Sequence, residues 1–231
     1  MPPKKTAKSE ATQSHILATA LELFQTHGFD KTTMRMIASE AGMSLGAAYY
    51  YFRTKDELVL HFYAHTGAEA RDHNWEIVAA SKDFQQRMAA LIEFKLAQMA
   101  PFRALTTVLA RHAADWSHPL SPFSPNTKPV RDEAIALIEQ ALEGSNLKAN
   151  AVIRPHLARI LWLYQMGVIL FWVNDASANQ QRTRELISVS LGLIQKLIQA
   201  TALPFMGGIS QAAARIVELA TSAAPAAEDG R

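Results

Sequence analysis

Residues 32–58 read TTMRMIASEAGMSLGAAYYYFRTKDEL, and the order of caps, stops and apolar positions in this stretch sets the architecture around it. Thr32 or Thr33 can accept a backbone N–H as the N-cap of a helix that buries Ile37, Ala38 and Ala41 on one side. Gly42 stops that helix, because glycine tolerates the left-handed backbone a sharp inter-helix turn requires. Met43 then supplies an apolar plug beneath the turn, and Ser44 caps the next helix. This is the grammar of a helix-turn-helix. In its second helix Ala48 and Phe52 lie four apart and face inward, while Leu45, Gly46, Tyr49 and Tyr50 share an outward face. Two adjacent exposed tyrosines and an exposed leucine require a partner. Thr54 and Glu57 then form a T-x-x-E capping box that opens a third helix with Leu58 and Phe62 as its first core residues. Lys55 sits in that first turn, where a cation opposes the helix dipole by roughly a few tenths of a kcal/mol and a nearby phosphate would reverse the sign.

Upstream, Ile16, Leu17, Ala20, Leu21 and Phe24 recur at helical spacing, so a bracing helix is predicted over Thr12–His27, ended by Gly28, with Phe29 packing back on the same core. Taken together, the string T-x-R-x-I-A-x-x-A-G-M-S-x-G-A-x-Y-x-Y-F-x-x-K-x-x-L, within Ile16 to Phe62, resembles the N-terminal domain of the tetracycline-repressor (TetR) family of one-component transcription regulators. The triple tyrosine Tyr49-Tyr50-Tyr51 is one variant of the pattern, and Ala48 is smaller than the branched residue often found there. The resemblance implies a DNA-binding head, a connector helix that transmits ligand binding, and a C-terminal domain holding an effector cavity.

With 231 residues the chain can form two modest domains or one large one, and 49% apolar with 19% charged residues is an ordinary globular composition. There is no cysteine, which excludes disulfides and thiolate metal sites and fits a reducing cytoplasm, the expected location. The start MPPKKTAKSEATQ lacks the apolar segment of a secretory signal. The greasiest run, Ile160–Val173, is interrupted by Gln165 and shorter than the roughly 20 residues needed to cross a bilayer, so no membrane partner is expected. A net charge of +2 is weak for a nucleic-acid binder, but its distribution is informative. Lys4, Lys5 and Lys8 form a basic arm within residues 1–11, and Arg35, Arg53 and Lys55 punctuate the head at 12–58.

The remaining chain, 59–220, shows helical periodicity and no strand alternation, so the fold class is all-α: a three-helix head plus a larger ligand-binding and dimerisation domain, about nine or ten helices in all, with 221–231 composed like a disordered tail. The connector is predicted to continue to about Ala79, weakened only by Gly67. Phe84–Met99 carries Met88, Leu91, Ile92, Lys95 and Met99 on one stripe; Pro101 breaks or restarts it, and the pattern resumes to about Asp115. Four prolines make Trp116–Pro129 a loop that either gates a pocket or simply connects. Helices follow over Val130–Leu142, Arg154–Val173 and Gln180–Thr201, with a last short one over Ile209–Ala220 burying Ile209, Ala213, Ile216 and Leu219. The two long helices before it carry more greasy surface than one subunit can bury. That suggests a homodimeric four-helix bundle with Gly167, Leu186, Leu193 and Leu197 at the interface.

A helix-turn-helix sets the start of its second helix against base edges while flanking groups hold phosphates. Ser44, Leu45 and Gly46 are therefore placed nearest the bases of a double-stranded operator, with Arg35 available to guanine. Thr33, Tyr49, Tyr50 and Lys55 are placed on phosphates. Phe102, Trp116, Trp162, Tyr164, Phe171 and Trp172 are the candidates to line a cavity for a small hydrophobic effector. His61 and His65 share a helix face, and His112, Asp115 and His118 could form a polar corner, but neither set has a metal-site pattern, so no metal is expected. No phosphate loop or nucleophile motif occurs, and neither a cofactor nor an enzyme activity is expected. The reading is a ligand-responsive repressor. A helical small-molecule binder or enzyme whose head no longer touches DNA, and an architectural DNA binder without an effector, stay open beside it.

Overall fold

The hydroxyls of Thr33, Ser44 and Thr54 open three of the head's helices, and the left-handed glycines Gly28 and Gly42 close two. The computed structural model describes residues 7–203 and 207–221, with eleven α-helices and no strand among them. The first helix, α1 (Ala7–His27), starts at Ala7 rather than Thr12, which brings Lys8 into its first turn; Lys4 and Lys5 lie outside the described residues. Gly28 ends it at φ +84°. Thr32 is fully buried with its hydroxyl donating to the Gly28 carbonyl at 2.8 Å, so Thr33 is the N-cap of α2 (Met34–Glu40) and accepts from Met36 N–H at 3.2 Å. At its far end Gly42, φ +65°, donates to Ser39 O at 3.1 Å and Met43 donates to Ala38 O at 3.0 Å. These are the paired bonds of a Schellman stop. Ser44 then accepts from Ala47 N–H at 3.2 Å and starts α3 (Leu45–Tyr51).

Thr54 accepts from Glu57 N–H at 3.1 Å at the head of α4 (Lys55–Glu69), and the Glu57 carboxylate reaches back to Arg53 N–H at 2.6 Å, one residue earlier than the box pattern anticipates. The connector does not run through to Ala79. It kinks at Ala70, where ψ opens to −10°, and continues as α5 (Arg71–Ala80). Two causes converge there. Thr66 turns its hydroxyl back onto Phe62 O and Tyr63 O, a contact that bends helices, and Gly67, a poor helix former, admits the Glu133 carboxylate of α8 to within 3.4 Å of where its Cβ would stand. This division supplies the eleventh helix.

The larger domain consists of α6 (Phe84–Met99), α7 (Arg103–Arg111), α8 (Lys128–Leu142), α9 (Leu157–Asn174), α10 (Gln181–Ala200) and α11 (Gly207–Thr221). A short 3-10 turn over Ala100–Phe102, built on Pro101, joins α6 to α7, which ends at Arg111 rather than near Asp115. Helix α9 is the hub, packing on α7, α8 and α10, with Leu157, Leu161 and Trp172 fully buried. Together with its 3-10 start it spans 21 residues, Arg154–Asn174, longer than the apolar run alone and by length and composition enough to cross a membrane; here it is the central helix of the core. Buried Arg87 ties the α5–α6 turn to the end of α8 by donating to the carbonyls of Ser81, Ala141 and Glu143.

The head's core does not stop at residue 58. Leu105, Leu109 and Leu120 belong to the same buried cluster as Phe24, Ile37 and Phe52. Phe62 meets Phe102 edge to face at 4.7 Å, and Gln25 donates to Pro101 O at 2.9 Å. The proline-rich loop is part of this junction. Ser124 and Thr127 donate inward to Pro119 O and Ser121 O, at 2.9 and 2.7 Å, and Arg131 closes on Pro122 O at 2.7 Å. With its polar groups so bonded the loop packs as a connection, and none of residues 116–129 lines the cavity described below.

In α11 the buried stripe is Ser210, Ala214 and Val217, while Ile216 and Leu219, expected inside, are exposed. The helix carries two apolar stripes one position apart, and spacing alone does not choose between them. Residues 222–231, most of the expected tail, lie outside the described residues.

Candidate nucleic-acid interface and effector cavity

On α2 and α3 one surface gathers the polar groups. Thr33, Arg35, Ser44, Gly46, Tyr49 and Tyr50 are all exposed, Tyr49 at 45% and Tyr50 at 82%, whereas Ala48 and Phe52 are buried beneath them. A phenol four-fifths in solvent beside a sealed alanine is a display, not a packing accident. Thr33 and Ser44 spend their oxygen lone pairs on the helix caps and keep their O–H donors, and the Arg35 guanidinium has no ion-pair partner among the described residues. Leu45 departs from the expectation: it is half-buried against the head core, because the first turn of α3 leans on Met43 and its neighbours.

Lys55 also departs. Its ammonium donates to Phe29 O at 2.6 Å and stands 4.4 Å from the centroid of the Phe29 ring. Partial burial lowers its pKa, against the opposing pull of Asp30 and Asp56. The side chain bolts the start of α4 to the turn after α1, with donor capacity left over.

The larger domain holds a cavity of about 400 Å³ between α4, α5, α6 and α8. Tyr63, Trp75, Leu91, Phe94 and Leu137 give it apolar walls, and Lys95 and Glu133 stand among them. Burial pushes the Tyr63 phenol well above its usual range and lowers the Lys95 ammonium, which Glu133 partly restores. None of the six aromatic residues expected to line a pocket borders it. Trp172 is fully buried, its Nε1 donating to Gln180 Oε1 at 2.8 Å and its ring below Arg103. Trp162 meets Phe123 edge to face at 5.6 Å, Trp116 stacks on Phe123 at 5.3 Å, and Phe102 is spent on Phe62. Tyr164 bonds Ser190 at 2.7 Å, and Phe171 lies 5.9 Å from the Arg182 guanidinium. Bulk on an apolar stripe identifies packing material, and spacing does not reveal where the packing stops short.

The outer surface of α9 and α10 stays greasy. Gly167 and Leu170 are exposed on α9, Val189, Leu193 and Leu197 on α10, with Leu186 half-buried beside them. Four of the histidines stand as two ring pairs. His61 and His65 lie with parallel rings 6.5 Å apart, and His112 stacks on His118 at 4.1 Å. Asp115 accepts from Ser117 N–H and hydroxyl, which holds its carboxyl below the usual range, and this trio lines no part of the cavity.

Residues 16–62 match the family described as bacterial regulatory proteins, tetR family, and residues 87–210, more than half of the chain, match the tetracyclin repressor-like C-terminal domain. The chain belongs to the TetR family. Within it, the head is 41% identical over 58 residues to an HTH-type transcriptional regulator encoded in the dhlA 5′ region of Xanthobacter autotrophicus, covering 25% of this chain and 29% of that protein. It is 38% identical over 55 residues to the HTH-type regulator AcrR of Shigella flexneri, covering 24% and 26%. These alignments therefore span less than a third of either relative. Over the whole fold, Thermus thermophilus FadR, a TetR-family transcriptional repressor solved in complex with lauroyl-CoA, superposes with a TM-score of 0.61 at 19% identity, covering 79% of this chain and 92% of that one. The all-α architecture with an N-terminal helix-turn-helix is thus the TetR fold. The residue that the sequence reading passed over is Lys95. Its signal was present, a lysine on the stripe Met88–Leu91–Ile92–Met99, where a charge has no reason to sit in plain core.

Proposed function

We propose that this TetR-family protein is a homodimeric repressor that grips a pseudo-palindromic operator and releases it when a small molecule fills the cavity between α4, α5, α6 and α8. The observation that carries the reading is the outward display of Tyr49 and Tyr50 on a helix-turn-helix whose caps and stop are fully formed. Ser44, Leu45 and Gly46 meet base edges, Arg35 reaches a guanine, and Thr33, Tyr49, Tyr50 and the remaining donor of Lys55 take phosphates. Two heads about one helical turn apart, roughly 34 Å, fit successive major grooves. The α9–α10 surface, with Gly167, Leu186, Leu193 and Leu197, pairs the subunits as a four-helix bundle.

The cavity borders the connector itself. Tyr63 and Gly67 come from α4, Ala70 is the kink, and Val130 of α8 lines both this cavity and a second groove against Phe52 and His61 of the head region. A ligand that prefers one setting of the kink shifts the heads' separation by the difference of its affinities for the two settings. The Thermus relative, a repressor solved with lauroyl-CoA, supports a ligand-released mode.

Capture of genomic fragments on the purified protein, followed by sequencing, tests the reading. Enrichment of a short inverted repeat is expected, with binding that weakens steeply with salt. Failure to retain any duplex at low ionic strength overturns it.

A further inference from the structure

We infer that the cavity selects amphipathic carboxylates: a compact alkyl or aryl body against Leu91, Phe94 and Leu137, and the carboxylate on the ammonium of Lys95. This deepens the effector reading above and rests on it.

The geometry is specific. Lys95 is half-buried at the edge of the buried stripe of α6, beside Leu91 and Leu96, and lines the cavity. Among the described residues no hydrogen bond or close ion pair reaches it. Glu133, the nearest acidic influence, is engaged instead by Arg71 at 3.2 Å. Lys95 is half-buried among the lining residues, so it is not sealed inside the core. A cation removed from bulk water and not hydrogen-bonded is unfavourable until an anion meets it, so a ligand that brings one gains a charge-assisted bond as well as apolar contact. Loss of water around Lys95 already lowers its pKa, which an arriving carboxylate would reverse. A bulky polyanion fits less well, since the walls are mainly apolar and Asp72 and Glu133 are the acidic groups among them.

The test uses the full-length protein without DNA and matched probes: 4-butylbenzoate against 4-butylbenzyl alcohol, and nonanoate against 1-nonanol, followed by calorimetry and by thermal shift. Each acid is expected to bind about tenfold or more tighter than its alcohol. Lys95→Met should erase that preference while leaving the alcohols within about twofold, and Lys95→Arg should keep it. Circular dichroism confirms that each variant is folded. Alcohols binding as well as acids, a preference that survives Lys95→Met, or no acid binding at all overturns the inference. Operator release is measured separately. An acid that binds through Lys95 yet leaves the protein on DNA defeats the repressor reading and leaves the ligand class standing.

Discussion

The ammonium of Lys55 lies 2.6 Å from the carbonyl oxygen of Phe29 and 4.4 Å from the centre of that residue's ring. One side chain thus joins the start of the connector to the turn between the first two helices, so the pose of the recognition helix depends on it. Lys55→Ala is expected to lower stability by about 1 kcal/mol, as loss of a partly solvated charged hydrogen bond does. It should also reduce the salt dependence of duplex binding by about one ion. Thermal melts and binding titrations at several salt concentrations check both. An unchanged slope would leave Lys55 as a tether only.

Tyr50 is 82% exposed, and among the described residues its hydroxyl has no hydrogen-bond partner to lose. Tyr50→Phe is therefore expected to leave the melting temperature unchanged and weaken operator binding by about 0.5–1.5 kcal/mol. Tyr49→Phe should behave alike. Fluorescence anisotropy on the selected operator measures the loss.

Asp175 is an acid-sensitive point of the larger domain. Its carboxylate accepts from Thr183 N–H and hydroxyl, at 2.9 and 2.6 Å, and from Ser177 N–H at 2.9 Å, which holds its pKa well below the usual carboxylate range. A pKa depressed by folding contributes stability that is present above the unfolded value, about 3.9, and is lost as pH falls through the folded one. Wild type should therefore exceed Asp175→Asn in melting temperature by a constant margin above about pH 5, and the margin should shrink below about pH 4. A margin that grows on acidification would refute the assignment.

Leu193 and Leu197 are 57% and 58% exposed on α10 and sit in line with Val189. If two subunits cover this face, Leu193→Glu removes an apolar contact worth about 1.5–3 kcal/mol from each of them, and the dimer dissociation constant should rise about a hundredfold or more. Sedimentation velocity across a concentration series reads this directly. A variant that associates as wild type does would move the interface elsewhere.

The head was legible almost residue by residue, because its signals are local. Thr33, Gly42 and Ser44 act through bonds to residues three or four positions away, and such bonds are written in short strings. What escaped was decided at longer range. The kink at Ala70 depends on Glu133 approaching Gly67 from another helix, and the inward turn of Lys55 depends on a carbonyl 26 residues earlier. The six aromatic residues expected at a cavity do not border this one, for a related reason. Trp162 and Trp172 are filled against by Phe123 and Arg103, which no periodicity reveals, whereas Lys95 was visible on its stripe but reads as an anomaly only once the space beside it is known.

The kink at Ala70 also sets the mechanical scale of any response. A rod from residue 55 to 69 is about 22 Å long at 1.5 Å per residue, so a tilt of about 10° at its inner end sweeps the outer end by about 4 Å. That is more than one base-pair step of 3.4 Å along the duplex. In the homodimer proposed above, a swing of this size would put the paired heads out of phase with the double helix, and the Phe62–Phe102 contact is where it would have to be absorbed.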